Sequence, residues 1–363
     1  MLRSGWLHRY GETMGDASEA SLLEAEFSAT LGTRYAVAVN SCGSAMFLAL
    51  LCTGVKPGNR VLMNAFTLAP VPGAVAHAGA EHVLVDVTPD LVIDLDDLAA
   101  KAAASGARHL LLSHMRGHIA DMGRLMALCD HLGLIVIEDC AHTMGANWAG
   151  RPTNTFGQVG CFSLQSYKHV NGGEGGLLAT DDADEVFARW RDVTPNFSLR
   201  MSNLVAAAAR PQLPLLAERA RIWNDRYGRL ATALATLPGL RLPHRPQEEE
   251  FVQSSIQLAV AGLCDAAFAS FLEACRLRGV YLKWFGAKQA AGYTSVSVQW
   301  RFLSDPHTPP VTARVLERLC DMRIPLTLTE AECGIIGGII AEELAQARRR
   351  PDHPHPMMEQ PPI

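Results

Sequence analysis

GCFSLQSYKHVNGGEGGLLAT, residues 160–180, sets a single lysine, Lys168, between a short apolar run and a loop with four glycines in five residues, Gly172 to Gly176. An ammonium group is strongly hydrated, and a lone lysine after a strand is ordinarily a solvated loop residue, so its surroundings decide whether its amine is used. Glycines after it would let the backbone approach a ligand without Cβ atoms in the way. Outward from this stretch, the chain alternates short apolar runs with helical periodicity. Candidate strands are YAVAV (35–39), RVLM (60–63), HVLVDV (82–87), HLLLS (109–113), LIVIE (134–138), CFSL (161–164) and GLLAT (176–180). Between them lie helical segments such as SAMFLALLCTG and DMGRLMALCDHLG. That alternation predicts a mostly parallel sheet covered on both faces, with ligands gathering beyond the carboxyl ends of its strands.

Residues 202–236 read as helix, broken or kinked at Pro211 and Pro214. Beyond it, SSIQLAV, VYLKW and RIPLTL read as strands, and DAAFASFLEACRLRG and TEAECGIIGGIIAEELAQA as helices. The expected organisation is a large domain over 12–205, a connecting helix and small α/β domain over 206–345, and a disordered proline-rich tail over 346–363.

Composition narrows the function classes. A hydrophobic fraction of 48% and a charged fraction of 19% in 363 residues fit an ordinary globular protein. A net charge of -5 without long runs of one sign argues against nucleic acid as the main partner. No apolar run reaches the roughly 18–20 residues that span a bilayer, so no membrane association is expected. MLRSGWLHRYGE lacks the apolar core of a signal peptide. The nine cysteines are scattered with no Cys-x-x-Cys pair, and they read as reduced, buried side chains of a cytoplasmic enzyme. His114 and His118 have a metal-like spacing, but no third ligand stands near them in sequence, so no metal is expected.

Three features converge at strand ends around Lys168. Glu138 and Asp139 close a buried strand, and His142 follows three residues after Asp139, on the same face if the chain turns helical there. Ser163 stands five residues before the lysine. Gly43 and Ser44 open a helix after strand 35–39, where unpaired amides suit an anion such as a phosphate. An amine, a carboxylate and a phosphate cup together suggest pyridoxal phosphate: its aldehyde needs the amine, and its ring nitrogen keeps a proton beside a carboxylate. Each residue also has a plainer reading. Asp139 suits a helix N-cap, His142 a buried hydrogen-bonded histidine, Ser163 a plain strand serine and the glycine loop an ordinary turn.

LGTRYAVAVNSCGSAMFLALLCTG, IEDCAHTMGA, the 160–180 stretch and NFSLRMSNLVAAAARPQL together resemble the DegT/StrS-type aminotransferases over residues 20–345. This is a fold-type I pyridoxal-phosphate family known for installing amines on keto-sugars. The resemblance implies a large mixed, mostly parallel sheet covered by helices and a smaller C-terminal α/β domain. It implies Lys168 as the Schiff-base lysine, Asp139 at the pyridine nitrogen, and His142 near the ring. Ser163 and the amides of Gly43 and Ser44 would hold the phosphate. Asn196 would reach the phosphate of the partner subunit, in a homodimer with shared active sites. The donor would be glutamate or glutamine, and the acceptor a keto or aldehyde group of a sugar-like or other small biosynthetic intermediate.

Several positions depart from that pattern. Leu68 stands where an aromatic usually stacks on the cofactor, a loss of about 1 kcal/mol. Arg116 replaces a common tyrosine and suits a substrate carboxylate or phosphate, although a structural ion pair is its other reading. Lys283 and Trp284 in YLKWFGA are candidate substrate contacts, and His169 follows the lysine where an asparagine is usual. These changes weaken the case for a nucleotide-linked sugar. Two rivals stay open: a lyase or dehydratase of the same fold, suggested by His169, and a ligand-binding relic without turnover, suggested by Leu68.

Overall fold

The computed structural model of the chain describes residues 5, 7, 18–182, 198–287, 295, 297–300, 302–303 and 306–349. Helix α1 (Glu19–Leu31) starts where Ser18 accepts from the Ser21 amide and stops at Gly32, in the left-handed region. Nine strands follow in the first half: β1 (Tyr35–Val39), β2 (Arg60–Asn64), β3 (Glu81–Val85), β4 (His109–Ser113), β5 (Ile135–Asp139), β6 (Asn147–Trp148), β7 (Arg151–Pro152), β8 (Val159–Ser163) and β9 (Gly176–Thr180). Seven of them form one sheet in the order β1-β9-β8-β5-β4-β2-β3. The β3-β2-β4-β5-β8 run is parallel, and β9 lies antiparallel to both neighbours. The expected large, mostly parallel sheet is the observed one.

Alternation along the strands sends side chains to two helical layers. Leu110, Leu112 and Val136 pack with Leu98, Ala102, Leu125 and Cys129 of α4 (Leu95–Ser105) and α5 (Met122–Leu132). Leu111 and Ile137 turn the other way, onto α2 (Cys42–Cys52) and α3 (Pro70–His77). Each such burial is worth roughly 1.5–3 kcal/mol, and together they fix the register of the sheet. The apolar runs then end in polar residues: β2 in Asn64, β4 in Ser113, β5 in Asp139 and β8 in Ser163. Parallel pairing sets these ends side by side at one rim, with Ser113 opposite Asp139.

The two prolines break the long helical stretch as expected. Helix α6 (Asn203–Ala209) passes through a 3-10 segment, Arg210–Leu215, into α7 (Leu216–Ala235). Ala206 and Ala209 pack in one cluster with Leu23 and Phe27 of α1 and Ala36 and Ala38 of β1. Helix α6 thus packs in the same layer as α1 and β1.

The second sheet is antiparallel, ordered β10 (Leu240–Arg241), β12 (Ser255–Val260), β14 (Leu319–Arg323), β13 (Lys283–Trp284). Helices α8 (Asp265–Leu277), α9 (Pro310–Leu316) and α10 (Glu330–Arg349) belong to this part of the chain. Strand β11 (Glu249–Glu250) instead pairs with β6, tying the small domain to the large one. RIPLTL is not a strand: β14 ends at Arg323, two residues before Pro325, which has no amide hydrogen for a ladder. Residues 346–349 are helical rather than tail, and the remainder of the expected tail lies outside the described residues. Among the described residues no helix is long and apolar enough to cross a membrane.

Candidate active site

The polar strand ends build the floor of a cleft. Asn64 and Ser113 exchange two hydrogen bonds, Asn64 Nδ2 to the Ser113 carbonyl and the Ser113 amide to Asn64 Oδ1, each 3.0 Å. This pins Ser113, whose hydroxyl donates to Asp139 Oδ2 at 2.9 Å. Its hydrogen spent there, Ser113 Oγ is left to accept from Thr67 Oγ1 at 2.8 Å. Asp139 Oδ1 accepts from the Ala141 amide at 3.1 Å. That bond closes a turn, and the Thr143 amide returns to the Cys140 carbonyl at 3.1 Å. Asp139 and His142 thus converge through a tight turn rather than along the helix the spacing suggested.

Lys168 reaches the same place from the loop after β8. Its Nζ lies 2.9 Å from His142 Nε2. Burial pushes the amine down to about 7; the Arg323 charge adds to the push, and Asp139 opposes it. Burial likewise takes His142 well below its ordinary value, with Lys168 next in effect, so the imidazole is neutral at pH 7 and its Nε2 can accept from the lysine. The pair therefore presents an amine that is a base and nucleophile near neutrality, beside a carboxylate.

The wall opposite is the start of α2. Ser41 caps it, accepting from the Ser44 amide at 3.1 Å, and Ser44 Oγ is itself engaged with Asn40 at 2.6 Å. The sequence reading gave the Ser44 amide to a phosphate, but the cap takes it. Among the described residues no partner takes the amides of Cys42 and Gly43, and both residues line the cleft. The glycine loop has a specific purpose here. A Cβ on Gly176 would lie 2.4 Å from the Ser41 carbonyl atoms, so only glycine lets β9 run against this helix start. Gly175, at φ +135°, bridges to Ser41.

The cleft holds about 710 Å³ of empty space including its mouth, and its lining includes Gly43, Leu68, Asp139, His142, Ser163 and Lys168. Ser44, Arg116, Lys283 and Trp284 do not line it. Trp284 faces the small domain's interior: its Nε1 donates to the Glu317 carbonyl at 2.8 Å and its ring meets Phe268 edge-on at 5.2 Å. Strand alternation puts its neighbour Lys283 on the opposite face. Arg116 is buried, and its Nη2 pairs with Asp321 Oδ2 at 3.0 Å. His169 is buried behind the lysine with its ring edge-on to Trp223 at 5.2 Å. His114 is bound to Glu138 at 3.0 Å, and Cys140 lies in the same buried group. Glu138 also accepts from the amides of Asn154, Phe156 and Gly157, so its oxygens are fully engaged. Asn196 lies outside the described residues.

Sequence reasoning passed over Ser41, Thr67, Cys42 and Ser113. The available signal was that consecutive apolar strands each end in a small polar residue, which places them in one row.

Fold and cleft together define an aminotransferase of the pyridoxal-phosphate kind. The half-buried amine near neutrality, the carboxylate at the strand ends and the two orphan amides suit the cofactor's aldehyde, ring nitrogen and phosphate. The chain belongs to the DegT/DnrJ/EryC1/StrS aminotransferase family, matching it over residues 1–332. It is 30% identical over 266 residues to the spore coat polysaccharide biosynthesis protein SpsC of Bacillus subtilis, covering 67% of this chain and 66% of that protein. It is 32% identical over 281 residues to a UDP-N-acetyl-3-dehydro-alpha-D-glucosamine 3-aminotransferase of Acidithiobacillus ferrooxidans, covering 71% and 74%. The crystal structure of the aminotransferase TlmJ from Streptoalloteichus hindustanus superposes with a TM-score of 0.83 at 23% identity, over 95% of this chain and 94% of that one.

Proposed function

We propose that this cleft moves an amino group from an amino-acid donor, glutamate or glutamine, to a keto or aldehyde carbon of a sugar-like or other small biosynthetic intermediate. The observation that carries the reading is the half-buried Lys168 amine, 2.9 Å from a neutral histidine in a cleft floored by Asp139. The relatives named for sugar substrates support the acceptor class.

Bound pyridoxal phosphate supplies an electron sink for the carbanion left when the substrate carbon loses its proton. The protein's residues do the rest. Asp139, oriented by Ser113 and the Ala141 amide, would hold the proton on the ring nitrogen and so keep the ring positive. The amides of Cys42 and Gly43, with Ser163, would hold the phosphate, and Leu68 would offer the ring an apolar contact. Lys168 Nζ would take up and return the proton in each half of the transfer, which an amine near 7 can do in both directions at neutral pH. His142 Nε2 accepts from that amine and orients it. His169 offers nothing to an elimination reaction, since it packs on Trp223 rather than lining the cleft.

The working unit in this reading is a homodimer in the cytoplasm. Tyr167, beside the lysine, is 76% exposed, which suits a surface that a second subunit covers. The test is spectroscopic. Adding L-glutamate or L-glutamine to the holoenzyme is expected to convert the cofactor's aldehyde absorption to that of its amine form. If no amino acid does so, the reading fails.

A further inference from the structure

We infer that Arg116, Lys283 and Arg323 form an anion subsite on the small-domain side of Lys168, which takes a carboxylate or phosphate group of the substrate. This rests on the reading of the Lys168 cleft as the transamination centre, and it makes that centre's substrate an acid. Strand pairing assembles the subsite. Lys283 on β13 lies directly opposite Asp321 on β14, and Arg323 follows Asp321 by two residues, so all three occupy one face of the sheet. Arg116 joins them from the large domain: its Cζ and the Lys283 Nζ lie 5.5 and 5.4 Å from the centroid of one ring, Phe285. Arg323 extends to Tyr167, the residue before the active lysine, with its Cζ 6.0 Å from that ring.

Arg116 keeps donors to spare in this cluster. Asp321 is the carboxylate facing the three cations, and both of its oxygens are taken. Oδ2 meets Arg116 Nη2 at 3.0 Å and Oδ1 accepts from Gln257 Nε2 at 2.7 Å. Arg116 is only 4% exposed, yet its Nε and Nη1 have no partner among the described residues. Two buried guanidinium donors left unmade are costly, and a guanidinium matches a carboxylate or phosphate with two parallel bonds. Arg116 is also held at φ +56°, a conformation that L side chains rarely adopt and that clusters at ligand sites. The crowding is felt by its neighbours. Burial, with Arg116 next in effect, pushes Lys283 down to about 8. An arriving anion relieves all three.

Calorimetry on the holoenzyme tests this with glutarate and with pyrophosphate as separate probes, and glutaramide as the neutral control. At least one anion is expected to bind wild type, and Lys283→Met and Arg323→Gln are each expected to weaken it about tenfold or more. Binding of glutarate alone assigns the subsite to a substrate carboxylate; binding of pyrophosphate alone assigns it to a phosphorylated substrate. The subsite is overturned if neither anion binds, if glutaramide binds equally well, or if both variants bind as wild type does while melting at the wild-type temperature. The donor-driven absorption change is recorded on the same wild-type sample. If that change persists without anion binding, only the subsite falls; if no amino acid produces it, the transamination reading falls first.

Discussion

Glu138 and Asp139 are consecutive carboxylates on one strand, and their surroundings differ completely. Glu138 points to one face of the sheet, fully buried, where three backbone amides and His114 occupy its oxygens. Asp139 points to the other, where a serine hydroxyl and one amide orient it and the rest of the carboxylate faces the cleft. A saturated carboxylate has nothing left to offer a ligand and works as a knot between β5 and the turn after β7. An oriented but unsaturated one is available for chemistry. The same contrast recurs at Lys168 and His169, where the lysine lines the cleft and its neighbour packs inward, and strand alternation likewise sends Lys283 and Trp284 to opposite faces of their sheet.

The largest expected effect falls on the chemical member of the second pair. Lys168→Ala should lower kcat on the order of 10³-fold or more, since both proton transfers lose their base, while far-UV circular dichroism stays unchanged. His169→Phe keeps the contact with Trp223 and should retain activity; a loss comparable to that of Lys168→Ala would break the comparison. Next comes the first pair. Asp139→Asn should cut kcat about 100-fold with little change in melting temperature, because it removes charge but keeps shape. Glu138→Gln should do the reverse: it turns an acceptor toward a donor amide and costs about 2–3 kcal/mol of stability, read by chemical denaturation, with kcat of the folded fraction close to wild type. If the two variants exchanged phenotypes, saturation would be the wrong criterion for telling them apart.

Much of this was legible in the sequence, because period-2 and helical patterns and strand-end positions are local. β1, β4 and β9 fall on the residues expected, and Lys168, Asp139, His142 and Ser163 meet at one cleft because parallel pairing aligns strand ends. What stayed hidden depends on partners far apart in the chain. Nothing near Arg116 announces Asp321, more than 200 residues on, and nothing in KW says which of Lys283 and Trp284 faces inward until β14 pairs with them. The glycine loop was recognised, but its reason was not visible: the backbone it admits is that of Ser41, from the other end of the domain. Capping by Ser41, which diverts the Ser44 amide, was readable in principle from a serine directly before a helix start.

The contrast also sharpens with pH. Lys168 at about 7 and His169 at about 3 are both lowered chiefly by burial, but only the lysine meets reagents in the cleft. In cofactor-free protein, the rate of modification of Lys168 by an amine-selective reagent, followed by peptide mapping, should rise through a midpoint near 7 rather than near the ordinary lysine value. The sign for stability follows: above about 7 the folded amine is neutral while the unfolded one still binds a proton, so cofactor-free protein should become more stable as pH rises from 7 toward 10. A midpoint near 10 would mean that the amine is solvated, and the burial assigned to the site would be wrong.

The smallest expected effect concerns Leu68, which lines the cleft where the resemblance puts an aromatic. Its side chain supplies apolar contact but no ring stacking, a difference of about 1 kcal/mol, or roughly fivefold in affinity. Leu68→Tyr should therefore tighten cofactor binding by about that factor, read from fluorescence titration of cofactor-free protein, and leave kcat nearly unchanged. The direction matters more than the size. Leu68 belongs to a small cluster with Phe66, Met115 and Phe285, and Phe285 is the ring over which Arg116 and Lys283 sit. If tyrosine weakens cofactor binding instead, Leu68 is there to hold that cluster, and the cations it carries, rather than to face the cofactor.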